Sequence, residues 1–246
     1  MKTHFCWIYH SENLSSKGTE ELRYSMRSIE TFLKDTEVSF TLIGSRPDWY
    51  AGHHIPIERY TGHNPLRYFD TLKKLKRLVA DPYVPENFFW MMDDVYLIKP
   101  TTVEELQIPR HDPNEYEVNT EWRAIKKKTQ EHLRSAGVPC LDYATHLPHF
   151  VNKTNLRHLF SIYPMTTPMD LYLWEILYGS LFYENPQPYF PYFKRVLRKL
   201  TPDELREHLK DAVVTNNNVP GWGLSLRAYL NDLLPAPSYV ETTNES

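Results

Sequence analysis

Two adjacent carboxylates, Asp93 and Asp94, interrupt an otherwise apolar run from Asn87 to Ile98. Such a run suits a strand buried on both faces, and its sudden charge marks a place where the chain reaches something outside the sheet. Neighbouring side chains on a strand point to opposite faces, so both carboxylates serve one ion only where the strand ends and the backbone turns. Hard cations such as Mg²⁺ or Mn²⁺ are held by one or two carboxylates and complete their shell with phosphate and water oxygens, which points to diphosphate chemistry. The plain alternative is a strand-end turn whose Asp side chains bond to nearby backbone.

Four other places carry side chains with chemical potential. His146, two residues before Pro148, is a general base or a phosphate-contacting cation if its ring faces a cleft, and a loop histidine bonded to backbone if it does not. His149, three residues on, is not spaced to share one strand face with it. Asp170, after Pro168, sits where a helix N-terminus favours a carboxylate without any catalysis. Arg46, just beyond a strand, is placed to meet a phosphate, and Asn216, Asn217 and Asn218 are either a turn or amide contacts to a ligand. Glycine-rich phosphate loops, nucleophile elbows and zinc spacings are absent, and eight glycines leave little room for them.

These residues need elements to hold them. His4–Tyr9 reads as a first strand. Leu22, Met26, Ile29 and Leu33 then form the apolar stripe of a helix over about 20–34, and Phe40–Ile43 reads as a second strand ending at Gly44. This β-α-β unit implies parallel strands with a right-handed crossover. His54–Glu58 reads as extended, and Asn64-Pro65 opens a helix with Leu66, Phe69, Leu72, Leu75 and Val79 on its buried face. That helix leads into the strand carrying Asp93 and Asp94. In open α/β sheets ligands bind beyond the carboxyl ends of the strands, where both would lie.

After Pro100 the pattern changes. Pro109–Pro113 reads as loop, and Glu121–Ala136 as a basic helix stopped by Gly137. Helices are expected over about 153–162, from Thr167-Pro168 through Leu181, over 201–210 and over 224–233, with a short strand at Val213-Val214. Asn185–Pro191 reads as a rigid connector, and Thr242–Ser246 as a disordered end. One domain is expected over 1–246, with an α/β nucleotide-binding half (1–100) and a mainly helical acceptor-side half (101–246).

Of the 246 residues, 41% are hydrophobic and 24% charged, as in ordinary globular proteins, and the aromatic share of 14% chiefly fills core. The net charge of −3 argues against holding polyphosphate chains by global charge. The basic runs Lys73, Lys74, Lys76, Arg77 and Lys126–Lys128 read as solvated helix faces. Cys6 and Cys140 make neither a disulfide framework nor a metal pattern, and no segment approaches the ~20 apolar residues of a membrane span. A cytoplasmic location is expected, in a bacterium or in a host cell if the gene is a phage's.

The order of the segments resembles the Stealth family of sugar-phosphate transferases. Glu21-Leu22-Arg23-Tyr24-Ser25-Met26-Arg27-Ser28-Ile29-Glu30 resembles its first region, and Arg46-Pro47-Asp48-Trp49 with Phe88–Leu97 its second. Thr145-His146-Leu147-Pro148 is similar to its third region, and Leu234–Glu241 to the closing part of its fourth. The resemblance implies a GT-A-like, Rossmann-like fold of a mostly parallel sheet flanked by helices, with the helical C-terminal half packed on it. It implies transfer of a sugar-1-phosphate from a nucleotide diphospho-sugar to an acceptor hydroxyl. Asp93 and Asp94 then match the metal site, and His146 and Asp170 the catalytic positions, while Arg46, Asp93 and Asn217 are the candidate donor contacts. The first strand ends at His10 without the family's acidic residue, Met92 stands where an Asn is usual, and Asn216–Asn218 where an Asp is usual. A GT-A glycosyltransferase that moves the sugar itself, to a glycan or to a hydroxymethylated nucleic-acid base, is the alternative. A non-catalytic sugar-binding module is the third reading.

Overall fold

The computed structural model describes residues 2–10, 19–60, 66–113, 121–218 and 220–242. The expected helix start at Asn64-Pro65 and the end of the chain beyond Thr242 lie outside them. Alternation of apolar strands and striped helices builds the first half as read: β1 (Lys2–Tyr9), α1 (Glu20–Phe32), β2 (Glu37–Gly44), β3 (His53–Pro56), α2 (Leu66–Ala80) and β4 (Asn87–Met91). β1, β2, β3 and β4 are parallel, in the order β3-β2-β1-β4. Their carboxyl ends therefore share one edge.

The run from Asn87 does not continue as one strand. It turns at Met92–Asp94 and resumes as β5 (Val95–Leu97) in a different sheet. The turn is the condition under which both carboxylates can serve one site.

The second half is less helical than its sequence suggests. It contributes α3 (Val103–Gln107), β6 (Arg110–His111), α4 (Glu121–Ser135), β7 (His149–Asn152), α5 (Lys153–Ile162), α6 (Trp174–Phe182), β8 (Gln187–Pro188), β9 (Phe193–Val196), α7 (Pro202–Leu209), β10 (Val214–Asn217) and α8 (Leu224–Leu233). β7 joins the main sheet antiparallel to β4, with Trp90 opposite His149. β10 lies between β5, antiparallel, and β9, parallel, making a second sheet. The segments read as loop and connector, around Arg110 and Gln187, pair with each other as β6 and β8.

Two core clusters lie on either side of the main sheet. Leu72, Leu75, Trp90, Leu156 and Trp174 belong to one, and Trp7, Leu22, Met26, Ile29 and Phe89 to the other. Alternate residues of β4 thus feed opposite faces, as a doubly covered strand requires. Ser25 and Ser28 bind α1 to β5: the Ser25 hydroxyl donates to the Val95 carbonyl at 2.7 Å, and the Ser28 hydroxyl accepts from the Leu97 N–H at 3.0 Å.

Two expectations are corrected. Lys74 is fully buried rather than solvated, because α2 places it one turn from Asp70, whose carboxylate accepts from its ammonium at 2.6 Å. A buried Lys is tolerable only with such a partner. The segment from Thr167 is not one helix: Pro168–Asp170 is a single 3-10 turn, and α6 starts at Trp174. Leu171 and Leu173 enter the core, and the Leu173 N–H is taken by the Thr129 hydroxyl at 2.9 Å.

Gly44 ends β2 at φ +114°, where a Cβ would stand 2.2 Å from the Tyr9 carbonyl oxygen. Only glycine fits there. The tight closure sets Ser45 and Arg46 immediately beyond the sheet edge, beside His10, whose Nδ1 is 3.1 Å from the Ser45 hydroxyl.

Candidate functional site

Parallel pairing carries His10, Ser45, Arg46 and the Met92–Asp94 turn to the same edge of the sheet. β7 runs the opposite way, so it begins at that edge and brings the residues before it alongside the turn. His146 reaches Asp94 by this route. Its Nδ1 lies 3.5 Å from Asp94 Oδ2, with the imidazole side chain 39% and the carboxylate side chain 19% exposed. His149, only three residues on, is buried, with Nε2 3.1 Å from the Thr145 carbonyl; burial pushes its imidazole down to about 4.

The turn concentrates negative charge. Asp93 is half-buried, and removal of water from its carboxyl, followed by repulsion from Asp94 and Glu21, pushes it up to about 7. Glu21, in the first turn of α1, is raised as well, chiefly by burial. Asp94 Oδ1 is buried with no hydrogen-bond partner among the described residues, and the same holds for Oδ1 of Asn216 on β10. Unmet carboxylate charge beside an unpartnered carboxylate oxygen suits a cation.

Among the described residues no three His, Cys, Asp or Glu side chains converge as a complete metal cage. The donor set fits Mg²⁺ or Mn²⁺, which take few protein oxygens and finish their shell with phosphate and water, rather than an all-protein zinc site.

The remaining candidates separate. Arg46 stands at the same edge but just beyond β2, with β1 between β2 and β4; it is exposed, and its Nε donates to the Tyr50 carbonyl at 2.9 Å. Asn217 is buried behind the turn, where its amide donates to Glu21 at 2.7 Å and accepts from the Tyr96 hydroxyl at 2.9 Å. It fixes Glu21 rather than presenting a free amide. Asp170 is exposed and accepts from the Thr167 hydroxyl at 2.7 Å, its one side-chain partner among the described residues. The structure brings together Asp93, Asp94 and His146, and leaves Asp170 on its own turn.

Glu21 and Glu175 escaped the sequence reading. Glu175 opens α6, is buried, and accepts from the Tyr68 hydroxyl at 2.8 Å; burial pushes its carboxyl up to about 7. A single acid inside the otherwise apolar stretch from Leu171 to Phe182 was its readable sign.

The first and closing segments of the family resemblance meet. Glu241 receives Arg27 through two hydrogen bonds, at 2.6 and 2.7 Å, with Arg23 Nε at 3.3 Å, while the Ser238 hydroxyl donates to Glu30 at 2.8 Å.

No family model matches the chain, and no curated protein matches it in sequence. Solved structures do. The galactosyltransferase LgtC in complex with donor and acceptor sugar analogs superposes with a TM-score of 0.52 at 12% identity, covering 95% of this chain and 97% of that one. An active-site mutant of LgtC gives 0.52 at 11% identity with the same coverage. A glycosyltransferase involved in the glycosylation of the major capsid of PBCV-1 gives 0.45 at 14% identity, covering 95% of this chain and all of that one. The fold of the chain is therefore GT-A-like across nearly its whole described length.

Proposed function

We propose that this chain is a metal-dependent glycosyltransferase that uses a nucleotide diphospho-sugar as donor. The observation that carries the reading is the meeting of Asp93, Asp94 and His146 at the carboxyl edge of a GT-A-like sheet, with a buried carboxylate oxygen of Asp94 left without a partner. Asp93 and Asp94 would hold Mg²⁺ or Mn²⁺. When bound, the ion neutralises the diphosphate and eases its departure as leaving group.

The chain supplies the rest. His146 orients Asp94, and its partly exposed ring is placed to hold or accept a proton at the cleft. Asn217 and Tyr96 fix Glu21 beneath the turn and keep the local field negative. Arg46, exposed beyond β2, suits the far end of an anionic donor. The half before about residue 100 then serves the donor, and the later half the acceptor, which is a glycan or a hydroxymethylated base. Among the described residues no helix is long and apolar enough to cross a membrane.

A second reading, transfer of the sugar-1-phosphate, is favoured by one observation. The Stealth-like segments Glu21–Glu30 and Leu234–Glu241 meet through the Arg23 and Arg27 ion pairs with Glu241 and the Ser238–Glu30 hydrogen bond, so the first and closing regions of the resemblance lie together.

Product analysis separates the two. Incubation with a panel of nucleotide-sugars and Mn²⁺ is expected to release nucleoside diphosphate, because the acceptor attacks the anomeric carbon. Nucleoside monophosphate as the product would establish attack at phosphorus and replace the first reading with the second. Calorimetry with and without a chelator tests the ion: donor affinity that ignores the chelator would remove the metal from the scheme.

A further inference from the structure

Close to the carboxylate turn, the second sheet carries a cleft of about 530 Å³ lined by Asp112, Arg123, Tyr189, Phe190, Phe193, Lys194, Arg195, Leu197 and His208. We propose that this cleft is the acceptor subsite and that it selects an acidic saccharide. The proposal rests on the transferase reading above for the word acceptor, but the ligand chemistry comes from the cleft itself.

Its place follows from register. Arg195 on β9 is opposite Asn216 on β10, which is opposite Val95 on β5, the residue next to Asp94. Two interstrand spacings, roughly 10 Å, separate Arg195 from the strand that leaves the turn. A short saccharide seated in the cleft can extend one end toward Asp94.

Its composition follows from its walls. The Phe190 ring is 64% exposed and Leu197 57% exposed, large apolar surfaces that a monomeric protein seldom leaves open without use. Aromatic faces take the C–H face of a pyranose ring. Around them stand Arg123, Lys194, Arg195 and His208, with the carboxylates Asp112 in the lining and Asp211 beside Lys194.

Lys194 is 3.8 Å from Asp211, and its ammonium lies over the Phe190 ring. Arg195 is exposed, lies over the Phe193 ring at 5.8 Å, and has no carboxylate partner among the described residues. A guanidinium fork without a carboxylate partner among the described residues, in the same cleft as the exposed Phe190 ring, matches a sugar that carries a carboxylate. Arg195 stands on a chain whose net charge is −3, so its positive charge is a feature of the cleft and not of the whole chain. A nucleic-acid strand is less suited, since its phosphates need a longer run of cations than one cleft offers.

The test is calorimetry on the full chain with trigalacturonate, with the neutral galactose trisaccharide and with a thymidine octanucleotide. Trigalacturonate is expected to bind at least about tenfold more tightly than the neutral trisaccharide, as loss of a charge-assisted contact implies. Arg195→Ala should abolish that preference, and Phe190→Ala should weaken both saccharides. Both residues are exposed, so neither change threatens the fold.

Equal affinity for the two trisaccharides, an unchanged preference in Arg195→Ala, tighter binding of the oligonucleotide, or no binding of trigalacturonate would each overturn the proposal. A parallel titration with nucleotide-sugars and Mn²⁺ keeps the two readings apart. Donor binding without saccharide binding sinks the cleft alone, and saccharide binding without donor binding sinks the transferase reading while the acidic-saccharide site stands.

Discussion

His146 Nδ1 sits 3.5 Å from Asp94 Oδ2, and the contact exists because β7 enters the sheet antiparallel at the edge where β4 leaves it. A parallel strand in that position would have carried its preceding residues to the opposite edge. The single reversed strand thus converts a distant loop into a wall of the carboxylate site. It also separates the two histidines of that stretch, placing His146 at the cleft and His149 in the core.

His146→Ala is therefore expected to slow transfer by roughly 10–100-fold, the usual cost of losing a group that orients a metal-binding carboxylate. The ring is 39% exposed, so the melting temperature should move little. Steady-state rates alongside a thermal melt would decide it. An unchanged rate would return His146 to an ordinary loop residue.

Asp94→Asn should have opposite effects on activity and on stability. Transfer is expected to fall by on the order of 100-fold or more as a metal-binding oxygen is lost. In the absence of metal the variant should melt at the same temperature as the parent or a few degrees higher, because the mutual repulsion of Asp93, Asp94 and Glu21 is relieved. Melts in chelator read this directly, and a clear drop in melting temperature would make the pair a structural turn.

The carboxylate turn was legible because its physics is local: an apolar run long enough for a covered strand, then two charges that such a strand cannot hold. The β-α-β order was legible for the same reason, since Leu22, Met26 and Ile29 repeat at helical spacing and all three are buried. The second sheet was not. β10 spells Val214-Thr215-Asn216-Asn217, residues that favour turns as readily as strands, and it becomes a strand through pairing with β5 and β9. The helix expected from Thr167-Pro168 failed although a Pro-x-Asp start is a real local signal, because Thr129 takes the N–H that would have continued it. Lys74 looked solvated because, although its partner Asp70 lies one helical turn away, the Gly44 turn that packs on its stem is a tertiary fact.

The docking of the closing segment onto α1 yields a stability prediction. The Glu241 side chain is 4% exposed and holds Arg27 through both oxygens, with Arg23 close by. Glu241→Gln leaves two guanidinium groups facing a neutral amide, and breaking a buried pair from one side costs roughly 3 kcal/mol or more. A urea titration should show the midpoint falling with the slope unchanged. A loss below about 1 kcal/mol would mark the cluster as a surface ion pair of the ordinary kind.

The pH dependence of stability follows from three buried groups and the half-buried Asp93, which pull in opposite directions. His4 and His149 are each pushed down to about 4, chiefly by burial, so the stability they contribute is complete above the ordinary histidine value of 6.5 and is lost as pH falls toward 4. Glu175 is pushed up from 4.5 to about 7 by burial, with Asp93 moved the same way. Their contribution is complete below the ordinary carboxylate range and is lost as pH rises through 7, because the folded protein must then hold a buried charge. Between about pH 4.5 and 6.5 the two pairs offset each other, and the parent protein should show a nearly flat stability profile there. Glu175→Gln removes one acid, keeps an oxygen to accept from Tyr68, and uncovers the histidines. Its stability relative to the parent is expected to grow as pH rises from 5 to 8, by on the order of 2–3 kcal/mol. Urea midpoints of both proteins across that range measure the difference, and one that stays constant with pH would show that Glu175 is ionised in the folded state throughout.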